Sequence, residues 1–105
     1  MYSIPPSICQ TLITTFSGII SDDIITEQSV EDTYKDDHER YVRRTFILSS
    51  RPIAGKTYCN FTFKETLPDK VVKRLDLDFV TDMYEDAGLF FIVSEGCTVQ
   101  FAVDE

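Results

Sequence analysis

The charged residues of this chain are sorted by sign into three consecutive blocks. Residues 22–39 hold eight acidic side chains and one lysine, residues 40–74 hold nine basic and two acidic side chains, and residues 75–105 hold eight acidic side chains and no basic one. Opposite charges that face each other across a strand pair stabilise it, whereas like charges destabilise it. The first two blocks are therefore expected to lie against each other, which leaves the formal net charge of −8 in the last block.

Residues 24–34 and 40–49 are the segments that would carry this pairing. The second segment is rich in aromatic and β-branched residues, and residues 35–39 between the two are polar and typical of a turn. The sequence thus predicts a β-hairpin over residues 24–49. Because side chains alternate along a strand, Arg43 and Arg44 are expected on opposite faces of it.

The remaining pattern predicts two helices and three further strands. A first helix is predicted over residues 5–20 and a strand over residues 57–64. Thr66 and Asp69 have the spacing of a capping box, so a second helix is expected from there to about Ala87, with Gly88 as its stop. Strands follow at 89–94 and 97–103. With 105 residues, the chain is predicted to be a single domain, 1–105, of the α+β class: two layers in the order α-β-β-β-α-β-β, with a mostly antiparallel sheet.

In element order this prediction resembles the class I secretion chaperones, which are small, acidic, dimeric α+β proteins. The chain departs from them because it ends on a strand where they carry a further helix. The resemblance implies a structural or chaperone-type subunit of an oligomeric assembly, with a virion component as a related possibility.

The predicted second helix carries acidic residues of one sign along one face. Asp78, Asp82 and Glu85 follow the spacing i, i+4, i+7, with Asp76 and Asp86 beside them. Like charges at that spacing destabilise a helix, and acids near its C-terminus oppose its dipole. Such a stripe is either an ordinary solvated face or a surface that binds a basic partner. The second interpretation predicts a non-enzymatic binding protein whose partner is another protein with a basic surface, in the manner of small phage or mobile-element inhibitors, with mimicry of nucleic acid as the extreme case.

The first helix has an outer face without charge. This face consists of Gln10, Thr11, Thr14 and Thr15. Small uncharged side chains allow close approach of a second chain without burying an unpaired ion. These four residues are therefore predicted to form an oligomer interface, in the simplest case between two copies related by a two-fold axis.

Other motifs are better explained without catalysis. His38, the one histidine, lies among acidic turn residues and is expected to be exposed to solvent at the tip of the hairpin. No metal site and no cofactor is therefore predicted. Cys9, Cys59 and Cys97 are expected to be reduced and buried, which favours a cytoplasmic location, in the host cell if the protein is viral.

Two further partner classes are disfavoured by charge and hydropathy. The excess of acidic residues repels phosphate backbones and anionic lipids, so neither direct nucleic-acid binding nor a membrane is predicted. The uncharged first 21 residues are interrupted by polar side chains and lack a basic start, which argues against a spanning helix or a signal peptide. Arg40, Arg43 and Arg44 beside Tyr41 could form a small nucleic-acid patch, but neutralisation by nearby acids is the favoured interpretation.

Overall fold

A computed structural model of the chain describes residues 2–105, and this part consists of one helix and eight strands arranged in two four-stranded sheets. One sheet has the order β2-β3-β4-β5, and the other has the order β1-β8-β7-β6. The elements are β1 (Ser3–Ile4), α1 (Pro6–Asp22), β2 (Glu27–Lys35), β3 (Tyr41–Ile53), β4 (Lys56–Leu67), β5 (Lys70–Leu77), β6 (Val80–Asp86), β7 (Leu89–Ser94) and β8 (Thr98–Val103).

The sheet β2-β3-β4-β5 is an antiparallel meander with tight turns. The predicted hairpin is confirmed, because β2 pairs with β3 antiparallel from Glu27 opposite Ser49 to Lys35 opposite Tyr41. Residues 51–56, which lie between the strands predicted at 40–49 and 57–64, are continuous strand on either side of a two-residue turn at Ala54-Gly55. Both turn residues have positive φ, 52° and 80°, the conformation in which a two-residue turn matches the twist of its strands.

The predicted second helix is wrong, since residues 70–77 and 80–86 form β5 and β6. The proposed capping box is in fact the turn Pro68-Asp69, which joins Leu67 to its partner Lys70. Gly88 does have the predicted left-handed φ, 78°, but it shares a hairpin turn with Ala87 at 51° rather than ending a helix. The α-β-β-β-α-β-β order is therefore matched only in part: two strands replace the second helix and the short β1 precedes the first, so the element order that resembles the secretion chaperones is not retained.

The chain passes from one sheet to the other between β5 and β6. Two residues make this connection, and Phe79 adopts a left-handed φ of 56°. Its backbone N–H donates to Asn60 Oδ1 at 3.2 Å, and its ring packs edge-on against Tyr58 with the ring centroids 5.1 Å apart. A continuous helix over these residues could not make this two-residue connection between the sheets.

The first helix is confirmed, with bounds of Pro6–Asp22 instead of 5–20. Pro6 occupies its first turn, where the missing N–H costs nothing. The N-cap residue is Pro5, and no side chain caps that end of the helix. The buried residues recur at the spacing of one helix face and are Ile8, Cys9, Leu12, Phe16 and Ile19.

One continuous core joins the helix and both sheets. Phe101 of β8 lies at its centre, with its ring 5.1 Å from Phe63, 6.0 Å from Phe61 and 6.3 Å from Phe46. These four rings are at most 1% exposed. Since full burial of such a ring contributes about 2–3 kcal/mol, aromatic contacts between the sheets dominate the packing energy. The fold is α+β in character, with two mostly antiparallel sheets and one helix. The inward faces of the two sheets meet in the shared core, and their outward faces are uncovered.

Candidate functional site

The five acidic residues predicted as one stripe are distributed over several surfaces. Asp82 and Asp86 lie on the outward face of β6, whereas the side chain of Glu85 is on the opposite face, because side chains alternate along a strand. Asp78 lies in the connection before β6, and Asp76 lies on β5 in the other sheet. The helical spacing of these acids therefore has no counterpart in the fold.

Asp82 and Asp86 flank an exposed aromatic pair. Between them, Tyr84 is 41% exposed and stacks on Phe91 of β7, with the ring centroids 5.0 Å apart and the planes 19° from parallel. Leu89 and Val93 lie opposite Asp86 and Asp82 and are half-buried. We call this surface the β6–β7 face; its members are Asp82, Tyr84, Asp86, Leu89, Phe91 and Val93. It places an apolar centre between two carboxylates.

Glu85 connects the helix to β6. Its Oε1 accepts from Cys9 Sγ at 3.3 Å and from Gln10 Nε2 at 3.4 Å. Burial, followed by this contact with Glu85, raises the pKa of the Cys9 thiol to about 12. Glu85 and Gln10, two residues predicted to bind separate partners, thus contact each other within the chain.

Asp76 is held on its own sheet. Its carboxylate accepts from Arg74 Nε at 2.8 Å and from Thr62 Oγ1 at 2.8 Å. Hydrogen bonds from Arg74, and then from Thr62, lower the pKa of this carboxyl. An acid paired in this way is less available to a partner than Asp82 and Asp86.

The helix residues predicted as an oligomer interface lie at the surface. Gln10, Thr11 and Thr14 are exposed, and Thr15 is half-buried. The Thr11 hydroxyl donates to the carbonyl of Ser7 at 3.0 Å, in the manner of hydroxyls within helices. The face is accessible, and its role as an interface stays a prediction.

The two layers of the fold differ in charge. All ten Lys and Arg residues lie between positions 35 and 74, that is, on the sheet β2-β3-β4-β5 and its turns. Residues 78–105, which contain β6, β7 and β8, hold seven acidic residues and no basic one. Because residues 27–77 hold nine acidic residues beside these ten basic ones, the sheet β2-β3-β4-β5 is nearly neutral and the net negative charge lies on the other sheet.

The outward side of the sheet β2-β3-β4-β5 carries a second surface, which we call the β3–β4 face: Tyr41, Arg43, Thr45, Lys64, Thr66 and Arg74. Arg43 is exposed while Arg44 is only 3% exposed, so the predicted opposite orientation of this pair is confirmed. Tyr41 is 62% exposed, with Lys35 Nζ 5.1 Å from its ring centroid. Two open cavities of about 390 and 440 Å³ lie beside it, and both are lined by Tyr41, Leu67 and Pro68.

A buried ion cluster occupies the end of the fold where the two chain termini meet β2 and β3. Arg44 donates to both oxygens of Asp32, from Nε at 2.9 Å and from NH2 at 2.6 Å, and also to Ser3 Oγ at 2.8 Å and Asp104 Oδ2 at 2.9 Å. Its guanidinium carbon lies 4.7 Å from the Tyr34 ring centroid. Burial alone lowers the pKa of Arg44, but the hydrogen bonds to Asp32 and Asp104 outweigh it, and the pKa is raised.

Glu65 is the second buried charge of this cluster, 4% exposed. Its Oε2 accepts from the Tyr34 hydroxyl at 3.4 Å and lies 3.8 Å from Lys73 Nζ. Burial and the negative charge of Glu65 raise the pKa of Tyr34. Sequence reasoning did not identify this cluster; its available signal was Asp32 opposite Arg44 in the predicted hairpin, which does not reveal burial. Within residues 2–105, every buried polar side-chain atom has a hydrogen-bond partner, so the cluster is satisfied and structural.

The three cysteines are free, as predicted, and Cys9 and Cys59 are buried. Burial raises the pKa of Cys59 to about 11. Cys97 is exposed, contrary to the prediction, because it lies in the turn before β8 and outside the strand alternation. His38 lies exposed at the hairpin tip, where its backbone N–H donates to Asp36 Oδ1 at 2.9 Å.

The described part of the chain has no group of three or more His, Cys, Asp or Glu side chains placed to hold a metal ion. From residue 2 onward, its one helix is too short and too polar to cross a membrane. No family model matches the sequence, and comparison with curated proteins and with solved structures finds no significant similarity.

Proposed function

We propose that this chain is a non-enzymatic binding protein that presents the β6–β7 face to a basic surface of another protein. The observation that carries the proposal is the exposed ring of Tyr84, stacked on the half-buried Phe91 between the carboxylates of Asp82 and Asp86. Aromatic side chains at the centre of a surface are the typical anchors of protein interfaces, and charges at the rim steer the encounter and select the partner.

The composition of this face favours a protein surface over a groove built for nucleic acid. Mimicry of a phosphate backbone needs a dense array of carboxylates, whereas Asp82 and Asp86 stand four residues apart, about 13 Å along an extended strand. The space between them is aromatic. A partner with an apolar patch surrounded by Lys or Arg is therefore the better complement.

Co-purification from the native host, followed by mass spectrometry, tests the proposal. A partner retained by the wild-type chain should be lost with Tyr84→Ala and with Asp82→Lys/Asp86→Lys. Glu27→Lys/Glu31→Lys is the matched control, because it makes the same charge change at two exposed positions of β2. Loss of the partner with the control as well, or retention with both test variants, would contradict the proposal.

The second candidate is a subunit of an oligomeric assembly that contacts its neighbour through helix α1. The exposed, uncharged face of Gln10, Thr11 and Thr14 favours it. Thr11→Glu/Thr14→Lys places two charges on this face and leaves the buried stripe of the helix intact. Assembly that depends on this face should be abolished by the variant and should respond little to salt.

A further inference from the structure

The β3–β4 face contains basic side chains that form no ion pair within the described fold. Arg43 and Lys64 lie on the adjacent strands β3 and β4, and neither forms an ion pair within residues 2–105. Other basic residues are occupied: Arg40 by Asp36, Arg44 by Asp32, and Arg74 by Asp76. Lys64 does lie close enough to Asp76 for its charge to help lower the pKa of that carboxyl, but among the described residues Arg43 and Lys64 keep their hydrogen-bond donors free of ion pairs, so this sheet face is available to an acidic partner.

The same face offers apolar contacts and a recess. Tyr41 stands largely exposed beside Arg43, and together with Thr33, Thr66, Leu67 and Pro68 they line the cavity of about 390 Å³. An aromatic ring next to a cation and a shallow recess suits an occupant that brings both carboxylates and aromatic or aliphatic side chains.

We propose that the β3–β4 face docks the β6–β7 face of a second copy of this chain, head to tail. The proposal rests on the proposed function, because it uses the same Tyr84 surface as the binding element. Local charge complementarity selects the occupant: the β6–β7 face belongs to a sheet without a basic residue, and the β3–β4 face brings Arg43, Lys64 and Arg74 together on one side of its sheet. The aromatic stack between Asp82 and Asp86 supplies the apolar part.

A long polyanion fits the β3–β4 face less well. Beyond Arg43 and Lys64, a nucleic acid strand that runs across the sheet would meet Glu27 and Glu31 of β2, which repel it. The β6–β7 face of a second copy would instead bring Asp82 and Asp86 to Arg43 and Lys64 without extending along the whole sheet. Direct binding of nucleic acid at this face is accordingly an outcome of the test that would overturn the proposal.

Because the two faces differ, the contact is heterologous. Such contacts do not stop at two copies: they extend into an open chain of subunits or close into a ring. A basic partner protein would compete with this assembly, since it needs the same β6–β7 face. Self-association then becomes a state from which the partner releases single copies.

Two complementary variants of the full chain test the geometry. Arg43→Glu/Lys64→Glu disables the β3–β4 face, and Asp82→Ser/Tyr84→Ser/Asp86→Ser disables the β6–β7 face without giving it a charge that could pair with the first variant. Asp82→Asn/Asp86→Asn is the milder alternative if the triple variant does not fold. Sedimentation velocity over a concentration series at low salt is the readout, with circular dichroism to verify the fold of each variant.

We expect the wild-type chain to grow beyond a dimer with concentration and to dissociate when salt is added. Each variant alone should associate at least about tenfold more weakly, as is typical when interface anchors or paired charges are removed. A one-to-one mixture should form a dimer and nothing larger, because each variant retains one intact face. Thr11→Glu/Thr14→Lys should associate as the wild type does.

Four results would overturn the proposal. Two concern the wild type: a chain that stays monomeric at low salt, or assembly that stops at a dimer and is abolished by the helix variant. The other two are a mixture of the two variants that stays monomeric, and binding of single-stranded DNA that depends on Arg43 and Lys64.

A separate measurement distinguishes failure of the proposed function from failure of this proposal. If the proposed function is correct, Arg43→Glu/Lys64→Glu still co-purifies the basic partner, whatever its sedimentation shows. If it fails, no partner depends on Tyr84 even in a chain that self-associates.

Discussion

Arg44 shows how one residue can hold together parts of the chain that are far apart in sequence. Its guanidinium bonds to Ser3, Asp32 and Asp104, so it joins the first strand, the β2-β3 hairpin and the end of the chain. Removing one member of a buried ion pair leaves the other charge uncompensated, which is more costly than replacing both.

Arg44→Met should therefore lower the free energy of unfolding by about 3–5 kcal/mol. Arg44→Met/Asp32→Leu replaces the facing pair with apolar side chains and should recover part of that loss, although Asp104 then stays without its donor. Urea unfolding monitored by circular dichroism measures both. A loss of less than about 1 kcal/mol for Arg44→Met would match an exposed pair and contradict the structural role of the cluster.

The cysteines should differ sharply in reactivity, because the thiolate is the reactive form. Cys9 and Cys59 are buried with pKa values of about 12 and about 11, whereas Cys97 is exposed. Maleimide labelling of the native protein should modify Cys97 alone, and denaturation should release the other two. Mass spectrometry of wild type and Cys97→Ser gives the count, and rapid labelling of the native Cys97→Ser chain would contradict the burial.

The raised thiol pKa values also predict that the free energy of unfolding decreases at alkaline pH. In the unfolded chain a thiol ionises near pH 8.5, while the folded chain keeps the proton, so the folded state binds more protons above that pH and stability falls as pH rises. The decline begins near the unfolded value and continues toward the folded values of about 11 and 12. Below about pH 8 these thiols leave stability unchanged.

At the scale of the elements, the sequence predicts best where charge and periodicity agree. In the β2-β3 hairpin, the polar turn, the alternation and the opposed charges all indicate the same pairing, and Asp32 does lie opposite Arg44. In residues 66–87, apolar residues fit a helical spacing of three to four as well as an alternation of two. Tertiary pairing decides for strands: Leu75 and Leu77 face the core and Val72 is 43% exposed.

The wrong prediction of a helix in this segment also placed the candidate site incorrectly. Asp78, Asp82 and Glu85 share a face only on a helix, and on β6 the alternation turns Glu85 toward Cys9. On a helix, Tyr84 would share an apolar face with Leu77 and Val80, whereas on the strand β6 it lies between Asp82 and Asp86. The acidic character of the surface was predictable, and its aromatic centre was not.

The β6-β7 turn offers a test of the strand assignment. Ala87 has a φ of 51°, a region that costs an alanine about 1–2 kcal/mol and that asparagine tolerates better. Ala87→Asn should raise the free energy of unfolding by about 0.5–1 kcal/mol, and Gly88→Ala, at a φ of 78°, should lower it by about 1 kcal/mol or more. Thermal unfolding of both variants beside the wild type measures the opposite signs. Equal effects of the same sign would contradict the two-residue turn.

The whole molecule is organised by the separation of charge between its layers. The sheet β2-β3-β4-β5 neutralises most of its own charges in pairs, whereas residues 78–105 hold seven acids and no base. Length, composition and the charge blocks predict such a polarity from the sequence alone. They do not predict which residues lie outward, because that depends on the register of strands that are distant along the chain.

Acid pH should destabilise the molecule through its paired carboxyls. The pKa of Asp76 is lowered by its hydrogen bonds from Arg74, and that of Asp36 is lowered first by the backbone N–H of Arg40. A carboxyl with a lowered folded pKa contributes stability above its unfolded value, near pH 4, and the contribution is lost as pH falls through the folded value. The free energy of unfolding should therefore decrease below about pH 4, where unfolded carboxyls bind protons first.

Asp76→Asn separates this effect from the general loss of negative charge. It removes one of the paired carboxyls but keeps an oxygen that can accept from Arg74 and Thr62, so the variant should be less stable than the wild type at pH 7 and the difference should narrow as pH falls. Asp86→Asn is the control: it changes the net charge by the same amount, and Asp86 forms no ion pair in the described chain. Chemical unfolding across the acid range gives both curves. A constant difference between Asp76→Asn and wild type would mean that the bonds to Arg74 and Thr62 do not hold the carboxylate form.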